Sequence, residues 1–313
     1  MFDYYSSTSL LIHTKAMTLF NHLHSPNSSI ESETFQQLVA KQVTAALEED
    51  IGSGDLTALL IPATQQAIAV ITVREEAVIC GIAWVEACFK QIDPESEIHW
   101  FVQEGERVVA NQVVCEINGL ARVLLTAERC ALNFLQTLSA TATQTRQYVD
   151  AISGTQAKIL DTRKTIPHLR HAQKYAVTVG GGQNQRMALY DGILIKENHI
   201  AAAGSIAAVM KQAFALNAGK SIQIEVETLS QLEEALSAGA TSILLDNFSV
   251  DGLIQAVALN SLHNHPAILE ASGGIHLQNV REIALTGVDR ISIGSLTKNI
   301  QAIDLSMRIR TIN

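Results

Sequence analysis

Residues 221–247 read SIQIEVETLSQLEEALSAGATSILLDN. The run IQIEVE is short, apolar and β-branched, and it closes on the carboxylates Glu225 and Glu227. The polar-apolar stretch after it has Leu232 and Leu236 four residues apart, on one face of a helix. A second apolar run, SILLDN, then closes on Asp246 and Asn247. Strand, helix, strand in that order is the unit of a parallel sheet.

The same cadence continues on both sides. KILDTRK (158–164) and GILIKEN (192–198) precede the stretch; AILEAS (267–272) and RISIGS (290–295) follow it. Helical segments such as LQNVREIALTG, ending in Gly287, lie between, giving a repeat of roughly 20–35 residues. Strands this apolar are buried on both faces. Six such runs predict a parallel sheet or a short, incomplete α/β barrel. Each run finishes in polar residues: Asp161/Arg163/Lys164, Lys196/Glu197, Glu225/Glu227, Asp246/Asn247, Glu270/Ser272 and Gly294/Ser295. Helix capping accounts for one or two of these, not for all six. In α/β barrels the C-terminal strand ends carry the site.

The first half is mixed. Residues Thr34–Glu49 place Phe35, Leu38, Val39, Val43, Ala46 and Leu47 at helical spacing. The turn-rich DIGSGDLT follows, then strand-like AIAVITVRE, AVICGIAW, EIHWFVQEG and VVCEING. Residues 122–148 lack Gly and Pro and read as one long helix joining the halves.

With 313 residues, 47% of them hydrophobic, the chain can bury a large core and more than one domain. It has no uncharged apolar run of about 18 residues, the length a spanning helix needs. Residues 1–32 are rich in Ser, Thr, Asn and His and lack the features of a signal peptide. They read as a poorly ordered leader, or as an upstream extension of a chain that starts naturally at Met17. A net charge of −9 argues against general nucleic-acid binding, so any basic site is local. Cys80, Cys88, Cys115 and Cys130 form no C-x-x-C pair and read as reduced, buried thiols of a cytosolic protein.

If the strands close, Arg163, Lys164, Arg186 and Lys196 meet at one mouth. Like charges held together repel unless anions fill the site. Arginine gives forked recognition of carboxylate or phosphate, and lysine acts as a point charge. Glu225 and Asp246 suit sugar hydroxyls or a magnesium ion. The backbone N–H groups of Ser272–Gly274 and Gly294–Ser295 suit a phosphate. The inventory describes a sugar phosphate plus a second acid.

The stretch ILDTRKTIPHLRHAQKYAVTVGGGQNQRMALYDGILIKENH resembles the nicotinate-nucleotide pyrophosphorylase (carboxylating), or quinolinate phosphoribosyltransferase, family. EDIGSGDLT (49–57), AERCALNFLQTLSATAT (127–143), IEVE (224–227), ILLDNF (243–248), EASGGI (270–275) and ISIGSLTK (291–298) match in the family's order and cover most of residues 40–310. The resemblance implies an α/β sandwich domain over 33–130, an incomplete α/β barrel of about six parallel strands over 131–302, and a segment 303–313 returning to the first domain. It implies a cytoplasmic homodimer whose sandwich domain covers the partner's barrel mouth. The implied reaction joins quinolinate to phosphoribosyl pyrophosphate, with Mg2+, giving nicotinate mononucleotide, CO2 and pyrophosphate in NAD biosynthesis.

Carried onto this sequence, Arg129 would reach quinolinate from the neighbouring subunit, and Arg163 and Arg186 would bind its carboxylates. Lys164 and Lys196 would neutralise the pyrophosphate and the acid. Glu225 and Asp246 would hold the ribose and the metal-bound donor. Ser272, Gly273, Gly274, Gly294 and Ser295 would cradle a phosphate, with Thr162 and Gln185 completing the substrate set. Two positions depart from the family: many members have His where Gln185 stands, and Gly where Ala188 stands. Glutamine donates a hydrogen bond but carries no charge. Asp161 reads as a structural partner of the cations.

Three other readings compete. A branch associated with molybdenum transport shares the pattern. A barrel aldolase would use Lys164 or Lys196 as a Schiff-base nucleophile, and a non-catalytic protein would only bind a phosphosugar. The G-x-G-x-x-G spacing is absent at Gly180–Gly182, so that stretch is a loop and not a dinucleotide fingerprint. His263 and His265 read as a surface turn, His168 and His171 as helix surface, and SGDLT (53–57) as structural.

Overall fold

The computed structural model describes residues 28–312, without the side chains of 28–33 and 311. Residues 1–27, which hold most of the expected leader and Met17, lie outside the described residues. In chain order the elements are α1 (Ser28–Ile51), β1 (Gln66–Val73), β2 (Ala77–Val78), α2 (Ile82–Ile92), β3 (Glu97–Trp100), β4 (Arg107–Val108), β5 (Val113–Leu120) and α3 (Ala121–Ala151). Then come β6 (Lys158–Leu160), α4 (Arg170–Val179), β7 (Gly192–Ile195), α5 (Glu197–Ala203), α6 (Ile206–Ala215), β8 (Ser221–Val226), α7 (Leu229–Ser237) and β9 (Ser242–Asp246). The chain closes with α8 (Val250–Ser261), β10 (Ile268–Ser272), α9 (Val280–Leu285), β11 (Arg290–Ser292), α10 (Ser295–Lys298) and β12 (Leu305–Thr311). Two compact units result. One holds the described residues up to Gln144, Pro167–Gly180 and those from Asn299 on; the other holds Thr145–Ile166 and Gly181–Lys298.

The first unit is built on an antiparallel sheet in the order β12-β1-β5-β3. Alternation along β1 buries Ala67, Ala69, Ile71 and Val73 on one face. That face shares its core with Phe35, Val39, Val43 and Leu47, spaced four apart along α1. Phe35, Trp84 and Tyr175 form an aromatic cluster with ring centroids 5.3–5.6 Å apart. In the SGDLT turn, Asp55 accepts hydrogen bonds from the backbone of Thr57 and Ala58 and from the Thr126 hydroxyl. These bonds hold its carboxyl below the usual value.

AVICGIAW is a strand only over its first two residues; from Ile82 it is helix. An apolar run does not distinguish a buried strand from a buried helix by itself. Here the choice is made by Glu104, whose carboxylate accepts from the Gly81 and Ile82 N–H groups at 2.8 and 3.1 Å and caps α2. Gly81 turns into the helix at φ 116°, where a Cβ would lie 3.3 Å from the Leu138 side chain.

In the second unit all six apolar runs become strands of one parallel sheet, ordered β6-β11-β10-β9-β8-β7. The first strand in sequence pairs with the last, and β6 and β7 are the two edges. One isolated bridge, Leu160 to Gln183, lies beside the gap between them. The fold is therefore an open α/β barrel. The middle residues of β9 and β10 are buried in succession, as a strand covered on both faces requires. Ser205, Thr228 and Ser249 cap α6, α7 and α8 by accepting from Ala208, Gln231 and Gly252.

Candidate active site

The C-terminal ends of these strands surround a cavity of about 330 Å³. Thr162, Arg163 and Lys164 enter it from the loop after β6. Gln185 and Arg186 come from the segment before β7, Lys196 from its end, Glu225 from β8 and Ser272 from β10. Leu194, Leu244, Glu270 and Ser292 complete the wall.

The loop after β6 is tied down at several points. The Lys164 N–H donates to Thr162 Oγ1 at 3.1 Å, and the Thr297 hydroxyl donates to the Lys164 carbonyl at 2.8 Å. Asp161 is fully buried and accepts from the Gln185 N–H at 2.9 Å, joining the two loops that carry the arginines. Arg186 Nη1 donates to the Gly192 carbonyl at 3.0 Å. Burial first, and the Arg163 guanidinium second, push the Arg186 guanidinium below its usual value. A guanidinium whose charge is disfavoured by burial and by a neighbouring cation is one that a bound anion would favour. Lys196 Nζ donates to Glu225 Oε2 at 2.6 Å, with the Lys196 side chain 43% exposed and Glu225 10%.

Asp246 ends β9 in register with Ser272, outside the cavity lining. The Asn247 side chain donates to Asp246 Oδ2 at 2.8 Å, and its backbone N–H to the Ser272 carbonyl. Asn247 and Gly273 both have positive φ, 56° and 93°. Gly294 packs on Lys164: a Cβ there would lie 3.1 Å from the lysine chain and 3.6 Å from Thr162 Oγ1. The Ser292 and Ser295 hydroxyl oxygens are buried without a hydrogen-bond partner among the described residues. Arg129 lies on α3 in the first unit, exposed, 3.9 Å from Glu128.

The chain matches the description "Quinolinate phosphoribosyl transferase, N-terminal domain" over residues 55–139 and "Quinolinate phosphoribosyl transferase, C-terminal domain" over 141–308. It belongs to the quinolinate phosphoribosyl transferase family. A probable nicotinate-nucleotide pyrophosphorylase [carboxylating] of Bacillus subtilis is 41% identical over 268 residues, spanning 85% of this chain and 91% of that protein. A mitochondrial quinolinate phosphoribosyltransferase [decarboxylating] 2a of Nicotiana tabacum is 38% identical over 284 residues, 85% of this chain and 80% of that protein. The solved nicotinate-nucleotide pyrophosphorylase of Francisella tularensis superposes with a TM-score of 0.84 at 43% identity, covering 88% of this chain and 97% of the other.

Three wall residues of this quinolinate phosphoribosyl transferase family member were not singled out from the sequence, Leu194, Leu244 and Ser292, and Glu270 was read as a strand end without a role in the site. Gln223, which hydrogen-bonds to Glu270, escaped as well. A period of two finds them all. Residues i and i+2 of a strand face the same side, so Lys196, Glu225, Asp246, Ser272 and Gly294 bring Leu194, Gln223, Leu244, Glu270 and Ser292 with them. His263 is half-buried and His265 exposed in the turn after α8. His168 precedes α4 at φ 63°, and its carbonyl accepts from Gln42 Nε2, so it is a turn residue and not helix surface.

Among the described residues no three His, Cys, Asp or Glu side chains group as a protein-held metal site needs. Magnesium binds differently, through one or two carboxylates plus substrate phosphates, and keeps several waters. Glu225 and Asp246, at the ends of adjacent strands, fit that mode.

Proposed function

We propose that this protein is a quinolinate phosphoribosyltransferase of NAD biosynthesis. It joins quinolinate to phosphoribosyl pyrophosphate and releases CO2 and pyrophosphate to give nicotinate mononucleotide. The observation that carries the reading is the meeting of Arg163, Lys164, Arg186 and Lys196 around one cavity with Glu225, in a chain of this family.

Quinolinate is a dianion and the donor carries more charge still. Two like charges about 4 Å apart cost roughly 4 kcal/mol at an effective dielectric of 20, so bringing the substrates together requires several cations. Arg163 and Arg186 take the two carboxylates as forks. Lys164 and Lys196 face the phosphates, and Glu225 and Asp246 orient the ribose hydroxyls. Ser272, Gly273, Gly274, Gly294 and Ser295 hold the 5-phosphate, and the partnerless Ser295 hydroxyl supports that assignment. Thr162 and Gln185 shape the acid end. Bound Mg2+ would neutralise pyrophosphate charge beside Glu225 and Asp246.

The pyridine nitrogen attacks C1 of the ribose as the C1–O bond to pyrophosphate breaks, and the electron pair leaves with pyrophosphate. The ring nitrogen is then cationic. The bond to the adjacent carboxylate breaks, CO2 leaves, and its electron pair stays on the ring carbon, which takes a proton from water. Neither step needs a strong base, so catalysis is positioning and electrostatics. The aldolase alternative needs a desolvated lysine, whereas Lys196 is ion-paired and 43% exposed.

The reading includes a homodimer in which Arg129 completes the partner's site; its exposure on α3 supports this. Four free, buried cysteines support a reducing, cytoplasmic location. The deciding experiment is formation of nicotinate mononucleotide from quinolinate and donor, with nicotinate as control. No product from quinolinate overturns the activity. For the shared site, Arg129→Ala and Lys196→Ala proteins are mixed: verified heterodimers regain activity if the site is shared and stay inactive if it is not.

A further inference from the structure

Three side chains from separate parts of the chain form a line at the base of the cavity. Glu270 on β10 is fully buried. Its carboxylate accepts from Gln223 Nε2 at 3.0 Å and, at 3.3 Å to each oxygen, from Gln185 Nε2. Gln223 Oε1 accepts from Gln185 Nε2 at 2.6 Å. Gln185 Oε1 in turn accepts the backbone N–H of Arg186 at 2.6 Å.

This line has a direction. A carboxylate only accepts, while a primary amide donates at one end and accepts at the other. Glu270 draws the NH2 group of Gln223 toward itself, which turns the Gln223 carbonyl to Gln185. The NH2 group of Gln185 then faces both partners, and its carbonyl is left facing the Arg186 N–H. One buried charge thereby sets two amide orientations and the backbone position of the next residue. A glutamine transmits this polarity without titrating near neutral pH.

We propose that Glu270 and Gln223 are positioning residues for the acid-binding guanidinium of Arg186, acting through Gln185. The inference rests on the reading of Arg186 as a carboxylate ligand; neither Glu270 nor Gln223 has to touch the substrate. It assigns a role to a fully buried acid in the wall of a cavity that also holds Arg163, Lys164, Arg186 and Lys196.

The test moves the charge by one position. In Glu270→Gln the source of the polarity is gone. In the double variant Gln223→Glu/Glu270→Gln a carboxylate again accepts from Gln185, and its new partner donates. Two readouts are taken on the full-length protein: hydrogen exchange of the Arg186 amide in fragments spanning 185–189, and steady-state kinetics. Glu270→Gln is expected to speed exchange and raise KM for quinolinate about tenfold, with kcat and the donor's KM within about twofold. The double variant is expected to restore both readouts. Gln223→Met keeps the chain length without the amide and serves in place of Glu270→Gln if that protein folds poorly. Unchanged exchange and KM in the single variants, or a folded double variant that restores neither, overturns the inference. Loss of turnover in the unmutated protein would overturn the proposed activity instead, and the exchange pattern would still judge the line itself.

Discussion

Lys196 Nζ and Glu225 Oε2, at the ends of neighbouring parallel strands, lie 2.6 Å apart. In the proposed reading this pair holds in place the lysine assigned to phosphate and the carboxylate assigned to the sugar hydroxyls. Replacing Lys196 by alanine is therefore expected to lower kcat/KM by about 10²–10³. Because Lys196 is 43% exposed, stability should change by less than about 1 kcal/mol. Steady-state kinetics and a melting curve on the same preparation check both.

Gly273 and its neighbour Gly274 should respond differently to alanine. At Gly273 a Cβ would lie 2.9 Å from the Asn247 backbone nitrogen and press into that residue's side-chain amide. At Gly274 nothing lies within 4 Å and only the positive φ of 62° is penalised. Gly274→Ala should cost about 1–2 kcal/mol. Gly273→Ala should cost more, and should lower activity further by moving Asp246, which Asn247 contacts. Chemical denaturation of both variants checks the order.

Arg186→Lys keeps one charge but loses the fork and cannot both reach the Gly192 carbonyl and grip a carboxylate. KM for quinolinate should rise about tenfold or more, with the donor's KM little changed. A thermal-shift comparison of pyridine-2,3-dicarboxylate with pyridine-3-carboxylate adds a check without turnover: the unmutated protein should be stabilised more by the dicarboxylate, and Arg186→Lys should narrow the difference.

Glu104 makes stability depend on pH. Its carboxyl is held above the usual value, chiefly by burial, and bonds from Gly81, Cys80, Ile82 and Tyr175 offset part of that. Below the ordinary value of 4.5 folded and unfolded chains both bind the proton, and burial of the charge costs nothing. As pH rises past that value the unfolded chain ionises first, so this group's contribution falls, and it levels off once the folded form has ionised too. Glu104→Gln should flatten that part of the curve, measured as denaturation midpoint against pH in both proteins.

The thiols should be inert. All four cysteines are free and buried; burial, with Asp50 beside it, pushes Cys130 up to about 11. Thiolate is the reactive form, so a disulfide reagent at pH 7.5 should label the folded protein slowly and the urea-unfolded protein at once. Fast labelling of the folded protein would contradict the burial.

Local pattern carried much of this fold. The six apolar runs became six strands because a strand covered on both faces must be continuously apolar, and that is visible residue by residue. The long helix at 121–151 and the alternation of β1 were legible for similar reasons. The cations were legible too, since charged residues at strand ends stand out. AVICGIAW was not: its helix depends on Glu104, more than twenty residues away.

Spacing along the chain told which residues end strands; the sheet told which of them meet. Lys196 and Glu225 are 29 residues apart, and Gln185 and Glu270 are 85 apart. Those pairings come from the register of parallel strands, set by backbone hydrogen bonds and by helices packing between them, which no local period encodes. The same register decides that Glu270 faces inward and is buried, and that the line it starts ends on the backbone of Arg186.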